Sequence, residues 1–186
     1  MQYGTTDRCT GGTASADSNN GNLPAGAVAN DAATTFWTSA NTALPHYWQY
    51  DFGAGVLWKI SKITISSAAD SGNIRIKDFN LQGSNDGTNW TTIYTGQMAN
   101  STNVQTFTFT NRIAYRYIRV NITSSYSAFP NYSHINEIEM FEGIYPQGGF
   151  SGVSNPWIFI KDMWDKHNKL WTPKGLVLPK DLSFQY

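Results

Sequence analysis

The stretch of this chain best equipped for recognition chemistry is residues 124–134, where Tyr126, Phe129 and Tyr132 stand among small polar residues and His134 follows. An aromatic ring offers a flat apolar face, and the C–H face of a sugar can lie against it. Amide, imidazole and guanidinium groups pair with hydroxyls around the rim. His46, Arg75, Asn73, Asn41 and His134 are the polar candidates for that role. The competing reading is that Tyr126, Phe129 and Tyr132 only pin their loop to the body of the protein, and that a lone histidine such as His46 is structural.

Other chemistries find less support. Glu137 and Glu139 look like a carboxylate pair, but they share one face of one strand, whereas acid/base catalysis needs groups on opposing walls of a cleft. The three histidines match no metal-binding spacing, and neither a nucleophile elbow nor a phosphate-binding glycine loop is present. No convergent catalytic set emerges, so an enzyme is not expected. Cys9 is the single cysteine, which excludes an intrachain disulfide and suggests an idle, buried thiol. Basic and acidic residues balance at 13 each, so the basic surface that nucleic-acid binding requires is missing. No apolar run approaches the roughly 20 residues needed to span a bilayer, so membrane insertion is not expected. The first residues lack the basic and apolar regions of a secretory signal. The expected location is extracellular or virion-associated, reached without such a signal.

These groups must be held by strands. Only 14% of residues are charged while 15% are aromatic, and Thr, Ser, Asn and Gly abound, which suits short strands and turns better than surface helices. Strands are expected at 47–52, 60–65, 78–83, 90–94, 105–110, 115–122 and 135–141, with residues 1–25 as a lead-in that contributes at most one edge strand. Ile63 and Ile65 fall on one face under period-2 spacing, as do Phe107 and Phe109. Because antiparallel strands alternate direction, the connections 38–46, 66–75, 96–103 and 124–134 gather at one end. The turns at 53–59, 85–87 and 111–113 gather at the other. Long loops on a rigid scaffold are where binding normally sits.

Beyond residue 143 the pattern changes. Asn155 and Pro156 read as a helix cap and first turn, and Trp157, Ile160, Trp164, Leu170 and Trp171 recur at helical spacing. The division is therefore a β domain over 1–143 and a C-terminal extension over 144–186, with a short helix at about 156–171 and an extended tail. Trp157, Trp164, Trp171, Phe184 and Tyr186 would be costly to leave in water, which makes them candidates for docking on another chain.

Four segments between residues 29 and 141 resemble the discoidin, or coagulation-factor type C, family, which includes many carbohydrate-binding modules. They are the early loop leading into Thr35-Phe36-Trp37-Thr38-Ser39, the strand Tyr47-Trp48-Gln49-Tyr50-Asp51-Phe52-Gly53, the hairpin Ser84-Asn85-Asp86-Gly87-Thr88-Asn89-Trp90, and the closing strands Tyr117-Ile118-Arg119-Val120 and Asn136-Glu137-Ile138-Glu139. The resemblance implies an all-β, antiparallel sandwich of jelly-roll type. It places Trp37, Trp48 and Trp90 in core motifs, and leaves Arg116 and Arg119 at the surface or paired with Glu137 or Glu139. It also implies a structural calcium ion, for which Asn30, Asp31, Thr35 and Glu139 are the available ligands. Ala32 stands where the family often has a carboxylate, and Glu139 could instead cap a polar network.

The function expected is that of a lectin-like, non-catalytic module. It would bind a cell-surface or polysaccharide glycan through one loop end and be anchored in a larger assembly by its C-terminal arm. The alternative is a structural decoration of a virion or tail-like particle, whose sandwich mediates protein contacts.

Overall fold

The computed structural model describes residues 1–20, 28, 35–67, 74–126 and 132–145, together with the backbone of 170–171 and 177–178. The chain divides into two units, Met1–Tyr145 and Pro146–Tyr186.

The first unit contains eleven strands: β1 (Gln2–Tyr3), β2 (Thr13–Ala16), β3 (Trp37–Thr38), β4 (His46–Asp51), β5 (Ile60–Ser66), β6 (Asp78–Ser84), β7 (Thr91–Gln97), β8 (Gln105–Thr108), β9 (Tyr117–Ile122), β10 (His134–Ile135) and β11 (Glu137–Ile144). A four-stranded sheet runs β1-β11-β5-β8 and a five-stranded sheet runs β2-β4-β9-β6-β7, while β3 and β10 form a separate pair. Every pairing is antiparallel. This is the expected all-β sandwich. The lead-in supplies two edge strands where one at most was expected, since β1 closes one sheet and β2 the other.

Period-2 alternation builds the core. In β4 it turns His46, Trp48 and Tyr50 inward, and in β9 it does the same for Ile118, Val120 and Ile122. Ile63 and Ile65 are fully buried, as their spacing requires, and with Ile138 and Met140 of the neighbouring strand they join Phe79 and Leu81 from the facing sheet in one cluster. Phe109 is buried too, and Phe107 packs on the same cluster. Cys9 is a buried thiol within it.

Trp90 departs from expectation. Trp37 and Trp48 are fully buried, but Trp90 is only half-buried. It lies just before β7, and its ring meets Tyr117 edge-on at 6.4 Å. Tyr117 and Arg119 occupy the outward positions of β9, so Trp90 packs on the outside of the sheet.

In the second unit β12 (Leu170–Trp171) pairs antiparallel with β13 (Val177–Leu178). Leu170 and Trp171 are thus in a β-hairpin and not at the end of a helix, because their backbone groups bond across the chain instead of along it. The rest of the expected helix lies outside the described residues, as do Trp157, Trp164, Phe184 and Tyr186.

Candidate functional site

The strand directions bring the four long connections to one end, and hydrogen bonds stitch them together. Ser39 N–H donates to the Ser133 carbonyl at 2.9 Å, and Ser133 N–H returns a bond to Ser39 Oγ. Ser67 Oγ donates to the His134 carbonyl at 2.6 Å. Arg75 bridges His134 through the backbone, and Ile76 bridges Ser125. Met98 N–H donates to the Lys77 carbonyl, tying the connection after β7 to the one before β6. Gln105 holds that connection closed, its side chain accepting from Ala99 N–H and donating to Ala99 C=O.

Three side chains form a ledge on this frame. Tyr126 N–H donates to the Arg75 carbonyl at 2.8 Å, and the Tyr126 phenol donates to the Met98 carbonyl at 2.8 Å. Arg75 Nη1 donates to Asn100 Oδ1 at 2.7 Å. The Lys77 ammonium lies 5.8 Å from the Tyr126 ring centre. A half-exposed aromatic face, a guanidinium and an amide are thereby held side by side, each anchored by a neighbour. Asn100 was not among the residues singled out from sequence. Its place in the connection after β7, among those counted to this end, was the available signal.

Asp78 fixes the neighbouring loop. Its carboxylate accepts from Ser124 Oγ and from Gln97 Nε2, and these two bonds hold its pKa below the usual carboxylate range.

The remaining candidates fall into three groups. Tyr132 is half-exposed and Asn41 exposed at the same end. Phe129 and Asn73 lie outside the described residues. His46 and His134 are not presented to a ligand at all. His46 is fully buried, with Nδ1 2.8 Å from Asp17 Oδ2 and Nε2 3.2 Å from the Thr42 carbonyl. His134 is 1% exposed, with Nδ1 2.9 Å from Thr38 Oγ1 and its ring tilted against Phe36. Both lie at inward strand positions, so their role is to brace the loops from beneath.

The calcium ligands are not assembled by the described residues. Asn30 and Asp31 lie outside them. Glu139 Oε2 accepts from Thr64 Oγ1 at 2.9 Å across the β5–β11 pair. Ile135 lies opposite Trp37 in the β3–β10 pair. Among the described residues no three His, Cys, Asp or Glu side chains group closely enough to hold a metal ion.

The opposite end is built from short turns. Asp51 accepts both Nε and Nη2 of Arg116 at 2.8 Å, and the bonded guanidinium holds the carboxyl below its ordinary range. Arg116 therefore pairs with Asp51, and Arg119 bonds Gln49; neither uses Glu137 or Glu139.

Known proteins share this arrangement. The F5/8 type C domain family matches residues 12–138. The structure is similar to that of the family 32 carbohydrate-binding module from C. perfringens NanJ in complex with galactose. That likeness has a TM-score of 0.63 at 24% identity, over 73% of this chain and 96% of that one. Chitosan-binding module 1 from a chitosanase/glucanase of Paenibacillus sp. IK-5 is similar at a TM-score of 0.61 and 26% identity, covering 73% and 98%. A His 62 mutant of the lectin binding domain of Lectinolysin, complexed with Lewis b, gives a TM-score of 0.62 at 17% identity, covering 77% and 100%. Among curated proteins none matches by sequence. The family match spans well over half of the chain, and so the chain belongs to the F5/8 type C, or discoidin, domain family.

Proposed function

We propose that the chain is a non-catalytic module that binds a glycan at the end of the sandwich where its long connections meet. The observation that carries this reading is the ledge of Tyr126, Arg75 and Asn100. An apolar ring face and hydroxyl-pairing groups are pre-positioned there by bonds to the loop backbones. The likeness to carbohydrate-binding modules supports it. So does the placement of Glu137 and Glu139, whose partners across β5 are Ser66 and Thr64 on the same sheet and not a facing cleft wall.

A glycan array probed with the full chain tests the proposal. A defined sugar signal that falls about tenfold or more in Tyr126→Ala and in Arg75→Met supports it, the loss of one stacked ring or one charged hydrogen bond being of that order. Signal unchanged in both variants, or no signal from a multivalent display, overturns it.

Two further parts belong to the same reading. The C-terminal arm docks the module on a larger extracellular or virion-associated assembly. In support, the family match ends at residue 138 and so leaves the Trp-rich stretch beyond 145 without a family role. A structural calcium ion belongs to it as well, with Asn30, Asp31, Thr35 and Glu139 as its ligands. The test is thermal unfolding with calcium and with a chelator, and an unchanged midpoint in both sinks the ion.

A further inference from the structure

The outer face of the five-stranded sheet carries a second set of recognition groups that the loop end does not use. Arg119 projects from the middle strand. Its guanidinium carbon lies 4.0 Å from the Tyr47 ring centre and 3.7 Å from that of Trp90, so the cation is layered between two aromatic rings. Arg119 Nε and Nη2 both donate to Gln49 Oε1, at 3.2 and 2.8 Å. That acceptor is neutral, and Nη1 has no hydrogen-bond partner among the described residues.

The acids nearest this cation are committed elsewhere. Asp17 bonds His46, the Tyr47 amide and Ser18, and Asp51 bonds Arg116. On one side of the layered cation the outward residues are uncharged hydrogen-bonding groups, while the row on the other side holds Asp51 opposite Tyr117. Gln49, Arg119, Gln82 and Thr92 lie in one register row, and Tyr47, Asn121, Asn80 and Thr95 in the next. A partly desolvated cation fixed by two rings and facing amides is suited to an anionic group on a hydroxyl-rich chain. Arg presents a rigid fork to a carboxylate or sulfate.

We propose that this face, centred on Arg119 between Tyr47 and Trp90, is a second binding surface for an acidic polysaccharide, distinct from the loop-end site. The guanidinium pairs with the carboxylate or sulfate of one residue. Trp90 and Tyr47 hold it and offer ring edges to the sugar, and the amide rows bond neighbouring hydroxyls. The amide rows run across several strands, so the face accepts a segment within a chain.

Affinity electrophoresis of the full chain in native gels tests this. The gels contain polygalacturonate, dextran sulfate or neutral dextran. The native protein is expected to be retarded by one or both acidic polymers and not by dextran, and retardation weakens as salt is raised. Which acid polymer acts distinguishes carboxylate from sulfate. Arg119→Met keeps the stem and removes the charge; it should weaken retardation about tenfold, and Trp90→Ala should weaken it too. Thermal unfolding of both variants checks that they fold. Equal retardation of the native protein and a folded Arg119→Met variant overturns the proposal, as does no retardation by either acidic polymer. Tyr126→Ala and Arg75→Met run in the same gels separate this face from the loop end: retardation by the acidic polymers unchanged in both supports the sheet face, and its loss in either overturns the proposal.

Discussion

Asp86 shows how much one side chain can fix. Its carboxylate accepts from Ser84 Oγ, from the amides of Thr88 and Asn89, and from Asn89 Nδ2, and these bonds hold it far below the ordinary carboxylate range. Gly87 completes the turn at φ 74°, a conformation that favours glycine. A depressed carboxylate stabilises the fold above its unfolded pKa of about 4, and that contribution is lost as pH falls through the lower folded value. Asp86→Asn is therefore expected to lower the urea midpoint at pH 7, with the gap to the native protein narrowing below pH 4; a gap independent of pH would contradict this. His46 is a second single-residue lock. Its two ring nitrogens face a carboxylate and a carbonyl, so His46→Ala leaves Asp17 without its buried partner. The expected cost is about 2–3 kcal/mol, measured by denaturant unfolding, with faster amide exchange in residues 39–45.

At the scale of elements, close approach decides which residues a strand tolerates. A Cβ at Gly83 would lie 2.4 Å from the Tyr115 ring and one at Gly96 would lie 2.6 Å from the Phe79 ring. Tyr115 and Phe79 are both buried and cannot give way freely. Gly83→Ala is expected to cost about 1–3 kcal/mol by overpacking, read from the unfolding midpoint; a neutral outcome would mean that Tyr115 can leave the core. The loop end is an element-scale product as well. Asp78 holds Ser124, two residues before Tyr126, and its pKa is depressed. Glycan affinity is therefore expected to be constant above about pH 4 and to fall as Asp78 is protonated below it. Asp78→Asn should bind more weakly at pH 7 and show less of that acid-side fall.

For the whole molecule, the core residues run from Cys9 to Phe141, so the sandwich carries its own hydrophobic interior. The segment Met1–Tyr145 expressed alone is expected to unfold in one cooperative transition by circular dichroism. Loss of cooperativity would make the C-terminal unit part of the folding core. Retained glycan binding with a changed oligomeric state, measured by light scattering, would support the docking role of the arm.

The sandwich was legible in the sequence because alternation is local. Ile63 with Ile65, Phe107 with Phe109, and the Asp86-Gly87 step declare strand faces and a turn within a few residues, and chain reversal then sorts loops to two ends. What period-2 alternation does not say is which face is covered, or what a loop side chain meets from a distant strand. Trp90 reads like Trp37 and Trp48 in sequence, yet Tyr117 and Arg119 draw it outside. His46 and His134 read as ligand groups, yet inward register buries them against Asp17 and Thr38. Asn100 gains meaning only when Arg75 reaches it. Sequence alone determined the seven longer strands, the turns between them and the end to which the long connections go, because backbone periodicity and turn chemistry are properties of neighbouring residues. The tertiary structure decided which side chains remain at the surface to bind, because burial and hydrogen-bond partners come from residues far away in the chain, 29 positions for His46 with Asp17 and 134 for Arg8 with Glu142.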